Sequence, residues 1–192
     1  MGHRALTGLL VAAVLSTAGC SAASESHGGD AATAPAQEMA MPRDGMATTS
    51  GPSDAAQMIC SDEIAGAVAR TFELDATPLG TSSWSDGVFT CDYEIGSGTL
   101  SLSVDDASRK AAGHASFERL RSKLAPVRRI RGMENFGFPA FDTPAGQVVF
   151  LKDGKTLVVD ASTLRAGTVP DHVTRADAAY GVAAAVIGCW TE

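Results

Sequence analysis

Hydrophobic positions along the chain fall into three regimes. From Ala5 to Ala18 they are almost continuous, broken only by Thr7, Gly8, Ser16 and Thr17. From Ser21 to about Ser53 large aliphatic side chains other than Met all but vanish, and Ala, Ser, Gly, Pro and Thr take their place. From about Ala55 onward they return, spaced with the periods of helices and strands.

In the third regime Ser61 is placed to cap a helix whose first turn carries Asp62 and Glu63, where negative charge complements the helix dipole. Ile64, Val68 and Phe72 form its stripe. Asp86-Gly87 predicts a turn. Phe89, Cys91, Tyr93 and Ile95 then alternate with Val88, Thr90, Asp92 and Glu94, the pattern of a half-buried strand. Gly96-Ser97-Gly98 turns the chain into a second alternating run, Leu100, Leu102 and Val104, completing an antiparallel hairpin. Ala107 to Leu124 predicts a helix with Phe117, Leu120 and Leu124 inside and most of its charges outside. Val127 to Arg131 reads as a short strand and Gly132 to Pro144 as a loop. Val148 to Leu151 and Leu157 to Ala161 read as strands joined by Lys152-Asp153-Gly154-Lys155, whose Asp-Gly suits a two-residue type I′ turn. Asp171 to Trp190 predicts a last helix with Ala176, Ala183, Ile187 and Trp190 inward. Helices alternating with hairpins predict one α+β domain over 55–192, an antiparallel sheet of about five strands packed with about three helices.

The first regime follows His3-Arg4 and is shorter than the roughly 20 apolar residues a membrane span needs. It reads as a signal peptide, residues 1–19, outside the fold. It ends in Leu15-Ser16-Thr17-Ala18-Gly19-Cys20, which resembles the lipobox of bacterial lipoproteins, with Thr17 where that family usually has Leu. The resemblance implies cleavage before Cys20, a diacylglycerol on its sulfur and anchorage to the outer face of a membrane. The alternative is an ordinary secretory signal with Cys20 free or in a disulfide. Residues 20–54 are too poor in large apolar groups to offset the entropy of ordering and read as a tether.

Removing residues 1–19 takes away Arg4 alone, leaving 14 basic against 22 acidic side chains and a formal charge of −8. That balance argues against nucleic-acid binding. With Cys20 acylated, Cys60, Cys91 and Cys189 remain in an oxidising compartment, and three cannot all pair within one chain. Cys60–Cys91 is favoured because it ties the start of the first helix to a central strand. Cys60–Cys189 is the second pairing, and the remaining thiol is either buried or a dimer link.

The layout of lipobox, low-complexity tether, Ile59-Cys60-Ser61 opening a helix, Cys91-Asp92-Tyr93 in a strand, and the loop from Gly132 to Ala140 before a hairpin at Val148 to Val159 resembles small actinobacterial cell-envelope lipoproteins grouped as a family of unknown function. The resemblance covers roughly Met58 to the C-terminus. It implies a fold and a location, not an activity, and Cys189 is not part of that layout.

No catalytic constellation emerges. Gly80-Thr81-Ser82-Ser83-Trp84 lacks the last Gly of a hydrolase elbow. Gly154-Lys155-Thr156 lacks the earlier Gly of a phosphate-binding loop, where Val149 stands. His114, His172 and Cys189 allow a His-Cys pair only in principle, and Asp105-Asp106 sit where helix capping is the ordinary role. Met39, Met41, Met46 and His27 in the tether are soft ligands for Cu(I) without a preformed site, so no metal or cofactor is expected. Two features suit binding. Arg119, Arg121, Lys123, Arg128, Arg129 and Arg131 form a dense basic stretch able to meet anionic headgroups or wall polymers. Phe136, Phe138 and Phe141 lie in a Gly- and Pro-shaped loop able to line an apolar pocket. Phe136, Phe138, Phe141, Arg128, Arg129 and Arg131 are therefore the candidate contacts for an envelope protein or an apolar or anionic envelope ligand. The expectation is a monomeric, membrane-anchored, non-enzymatic accessory module of the envelope. The alternative is a cell-wall hydrolase or transferase.

Overall fold

Two Asp-Gly pairs set the hairpins that organise the sheet. Asp86 and Gly87 have φ of 53° and 79°, and Asp153 and Gly154 have 52° and 81°. Successive left-handed residues make the type I′ turn whose twist matches the flanking strands. A computed structural model of the chain describes residues 51–134, 136–165 and 167–190. The expected signal peptide 1–19, Cys20, the part of the expected tether up to Ser50 and the Met39, Met41, Met46 and His27 group lie outside the described residues.

The chain forms β1 (Gly80–Ser85), β2 (Val88–Ile95) and β3 (Gly98–Asp105), a meander. The second meander is β4 (Arg128–Arg129), β5 (Ala140–Asp142), β6 (Gln147–Lys152) and β7 (Lys155–Asp160). All seven strands join one antiparallel sheet in the order β1-β2-β3-β7-β6-β5-β4. The fold is α+β as expected, but the sheet has seven strands rather than about five. The two additional strands are β1 and β5. The segment 132–144, expected to be a loop, contains β5 and all but the first residue of a single helical turn, α4 (Arg131–Glu134).

Before the sheet come α1 (Asp54–Gln57), a 3-10 turn (Met58–Cys60) and α2 (Asp62–Thr71). Ser61 caps α2 by accepting from the Ile64 amide at 3.4 Å, as its position predicts. Between the meanders lies α3 (Lys110–Lys123), and α5 (Arg175–Cys189) ends the chain. The last helix starts four residues later than its apolar period suggests. His172 sits at φ 74°, outside helical space, and Thr174 and Asp177 form a reciprocal capping box that fixes the start.

The two faces of the sheet differ. On one, the registers Phe89–Val104–Leu157–Phe150 and Cys91–Leu102–Val159–Val148 run across four strands, and all these residues are buried. α2 and α5 cover this face and supply Ile64, Val68, Val182 and Val186 to the main core. Trp190 closes its end, ring edge to face with Phe150 at 6.0 Å. The Cys60–Cys91 disulfide joins the 3-10 turn to β2, the favoured pairing. Beside it the buried Tyr93 hydroxyl donates to the Ile59 carbonyl at 2.8 Å. Burial, with a smaller contribution from the Asp62 charge, pushes that phenol up to about 12, so it stays a donor throughout the physiological range.

Candidate functional site

The opposite face changes character along its rows. One row reads Phe141, Val149, Val158, Ser103, Thr90 and Ser83 across six strands. The next reads Leu151, Thr156, Asp105, Val88 and Ser85. The apolar half, over β5 to β7, is covered by α3: Phe117 meets Phe141 at 5.2 Å between ring centroids, and Leu120 and Leu124 pack against the same cluster. Among the described residues, no helix lies on the half over β1 to β3. This is the physical basis of the alternation in β2 and β3, since only one of their faces is buried.

Where the covered half meets the open half, a groove of about 880 Å³ runs along α3. Val88, Ser103 and Val158 contribute to its lining from the sheet, and Ala115 and Leu120 from the helix. Arg119 and Lys123, four residues apart on one side of α3, stand at its edge; both are exposed and make no ion pair among the described residues. Asp105 also lines it and accepts a short hydrogen bond from the Ser116 hydroxyl. Thr156, fully buried, donates to the Gly113 carbonyl at 3.3 Å. Glu118 pairs with Arg121 at 2.8 Å.

The neighbouring Asp106 organises the start of the domain. Its carboxylate accepts from the Ser53 amide at 2.6 Å and the Ser53 hydroxyl at 3.0 Å, and it pairs with Lys155. Burial pushes this carboxyl up. The Lys155 ammonium and the two Ser53 donors outweigh that and hold it below the ordinary Asp value. The expectation that Asp105-Asp106 cap the following helix is therefore corrected. α3 has Arg109 at its N-cap with no side-chain bond, and both acids are bound elsewhere.

The structure separates the candidate contacts. Phe141 is a strand residue, 2% exposed and part of the core under α3. Phe138 is half-buried, its ring 5.8 Å from the Lys152 ammonium. Phe136 alone is open, 77% exposed. Arg128 is held by Asp142 through two bonds of 2.9 and 3.0 Å. Arg129 shares a smaller hollow of about 400 Å³ with Arg121, Phe117 and Phe141, and Arg131 is exposed at the start of α4. The aromatic loop thus forms no common pocket among the described residues. The basic stretch divides instead, with Arg119 and Lys123 toward the large groove and Arg121 and Arg129 toward the small one.

Sequence reasoning missed Ser103, Ser116 and Thr156 as groove residues. The alternation of β3 does place Ser103 and Asp105 off the core face, but only the position of α3 over the sheet makes that face one wall of a groove. His114 and His172 are exposed. Among the described residues no group of three or more His, Cys, Asp or Glu is placed to hold a metal ion, and no helix is long and apolar enough to cross a membrane. Compared with known proteins, the chain matches no family model, no curated protein and no solved structure.

Proposed function

We propose that the protein is a membrane-anchored extracytoplasmic lipoprotein, resembling the small actinobacterial envelope lipoproteins, whose α+β domain is a non-enzymatic binding module of the cell envelope. The address rests on residues 1–20, where a short apolar run ends in small residues before Cys20. The Cys60–Cys91 bridge supports it, because such bonds persist in oxidising compartments.

The observation that carries the binding role is the half-covered second face of the sheet. α3 closes the apolar half and leaves a groove beside the polar half. Four of the polar groups there are engaged within the domain: Asp105 with Ser116, Thr156 with the Gly113 carbonyl, and Glu118 with Arg121. Groups so committed shape a surface rather than activate a nucleophile.

Peptide mass spectrometry on the natively expressed protein tests the address. An N-terminal Cys20 carrying a diacylglyceryl mass is expected, and an unmodified or missing Cys20 would overturn anchorage. Incubation with purified wall fragments tests the role. Stoichiometric capture without new reducing ends or released peptides is expected, whereas turnover would favour a hydrolase or transferase.

A further inference from the structure

We propose that the groove between α3 and the β2-β3-β7 surface binds an anionic amphiphile, a molecule with an apolar body and an acidic head, with Arg119 and Lys123 taking the head. The inference rests on reading this groove as the binding face and does not depend on acylation of Cys20.

Size comes first. About 880 Å³ falls within the range of roughly 300 to 1,000 Å³ typical of small-ligand sites. The chemistry of the lining comes second. Val88, Val158 and Leu120 give it an apolar body, while Asp105, Ser116 and Thr156 spend hydrogen bonds within the domain. A ligand lying there gains from apolar contact and finds few directional partners until it reaches charge.

Charge comes third. Formal charge after residue 19 is −8, yet no acidic residue occurs from Arg119 to Arg131. Arg119 and Lys123 lie one helical turn apart, so their side chains share a face. The two acids that also line the groove are engaged elsewhere: Glu118 with Arg121, and Asp105 with Ser116, about one turn of α3 earlier. Two cations without ion-pair partners among the described residues, at the margin of an apolar trough, complement a carboxylate, sulfonate or phosphate on an apolar tail. A neutral or cationic amphiphile would fit the trough equally well and lose the head contact, so the sign of the head is the discriminating property.

The test uses the full chain with Cys20→Ser, which cannot be acylated on sulfur, and the fluorescent probe 11-(dansylamino)undecanoic acid. Dodecanoate, dodecanol and dodecyltrimethylammonium then compete for the probe. Saturable probe binding is expected, with dodecanoate displacing it at least about tenfold more effectively than the other two. Arg119→Gln with Lys123→Gln should weaken probe binding by about tenfold or more, the scale of charge-assisted hydrogen bonds. Ala115→Trp, an exposed helix position that projects into the groove, should abolish it without unfolding the domain. Circular dichroism and an intact Cys60–Cys91 bridge verify that both variants fold. Equal displacement by all three competitors would overturn the proposal. So would probe binding that both variants leave unchanged, which would locate it elsewhere, for instance on the apolar run 5–18.

Discussion

Gly113→Ala sets two physical effects against each other in one substitution. Ala in a helix interior is more favourable than Gly by about 1 kcal/mol, so propensity alone predicts a more stable protein. The structure predicts the opposite. A Cβ on Gly113 would lie 1.7 Å from the Gly154 carbonyl oxygen and 2.4 Å from its carbonyl carbon, where ordinary contact begins near 3.4 Å. α3 and the β6–β7 turn would have to part by roughly the difference. The turn cannot easily yield, because Asp153 and Gly154 are both left-handed and a Cβ at Gly154 would in turn meet the Lys110 Cα at 2.8 Å. Lifting the helix loosens the Thr156 bond to Gly113 and the Phe117–Phe141 contact. Overpacking typically costs about 1 to 3 kcal/mol, and overlap with backbone belongs at the upper end, so the net loss is about 2 kcal/mol after the propensity gain. For a domain of this size that lowers Tm by roughly 8 °C. Thermal and urea unfolding of the full chain with the disulfide intact measures it. Gly188→Ala in α5, where a Cβ meets nothing within 4 Å, is the control and should gain up to about 1 kcal/mol. A Gly113→Ala protein as stable as its parent, or more stable, would refute the close approach of α3 to the turn.

Replacing Cys60 and Cys91 together with Ala should cost about 3 to 4 kcal/mol, the chain-entropy value for a bridge with a sequence separation of 31, and should abolish the effect of reductant on urea unfolding. Asp106 has its native carboxyl held below its unfolded value, so its contribution is fully present above about pH 4 and is lost as pH falls through the lower native value. Asp106→Asn should therefore lower neutral-pH stability by about 2 kcal/mol, through loss of a largely buried partner for Lys155, and flatten the acid limb of a Tm-against-pH curve. Phe141→Ala should cost about 3 to 5 kcal/mol as a core truncation, whereas Phe136→Ala should stay within about 0.5 kcal/mol in the same unfolding assay.

How far the fold can be read from the chain depends on how many faces each strand buries. β2 and β3 bury one face each, so Phe89 to Ile95 and Leu100 to Val104 alternate cleanly and both are legible. β6 lies between α5 and α3, so Val148, Val149, Phe150 and Leu151 are all buried, and it shows as a short apolar run. β1 buries neither face; all six of its residues are exposed, and only pairing with β2 defines it. No periodicity can announce such a strand. β5 is three residues long and follows Pro139, so Phe141 looks like a loop aromatic until its register with Val149 places it beneath Phe117. The groove was hidden for a related reason. Each of its walls is visible separately, as the polar side of β3 and the charged side of α3, and both read as solvated surfaces. What joins them is the narrow apolar stripe of α3. Phe117, Leu120 and Leu124 pack against the strands that offer apolar partners, and that apolar cluster ends where the sheet row changes from Val158 to Ser103. The boundary of the site is thus set by the same apolar-to-polar step that limits the minor core. Extending the apolar rows, for example with Ser103→Val, should therefore strengthen packing along α3 and narrow the groove, linking ligand affinity to the core in a way that a purely solvent-facing Ser103 would not.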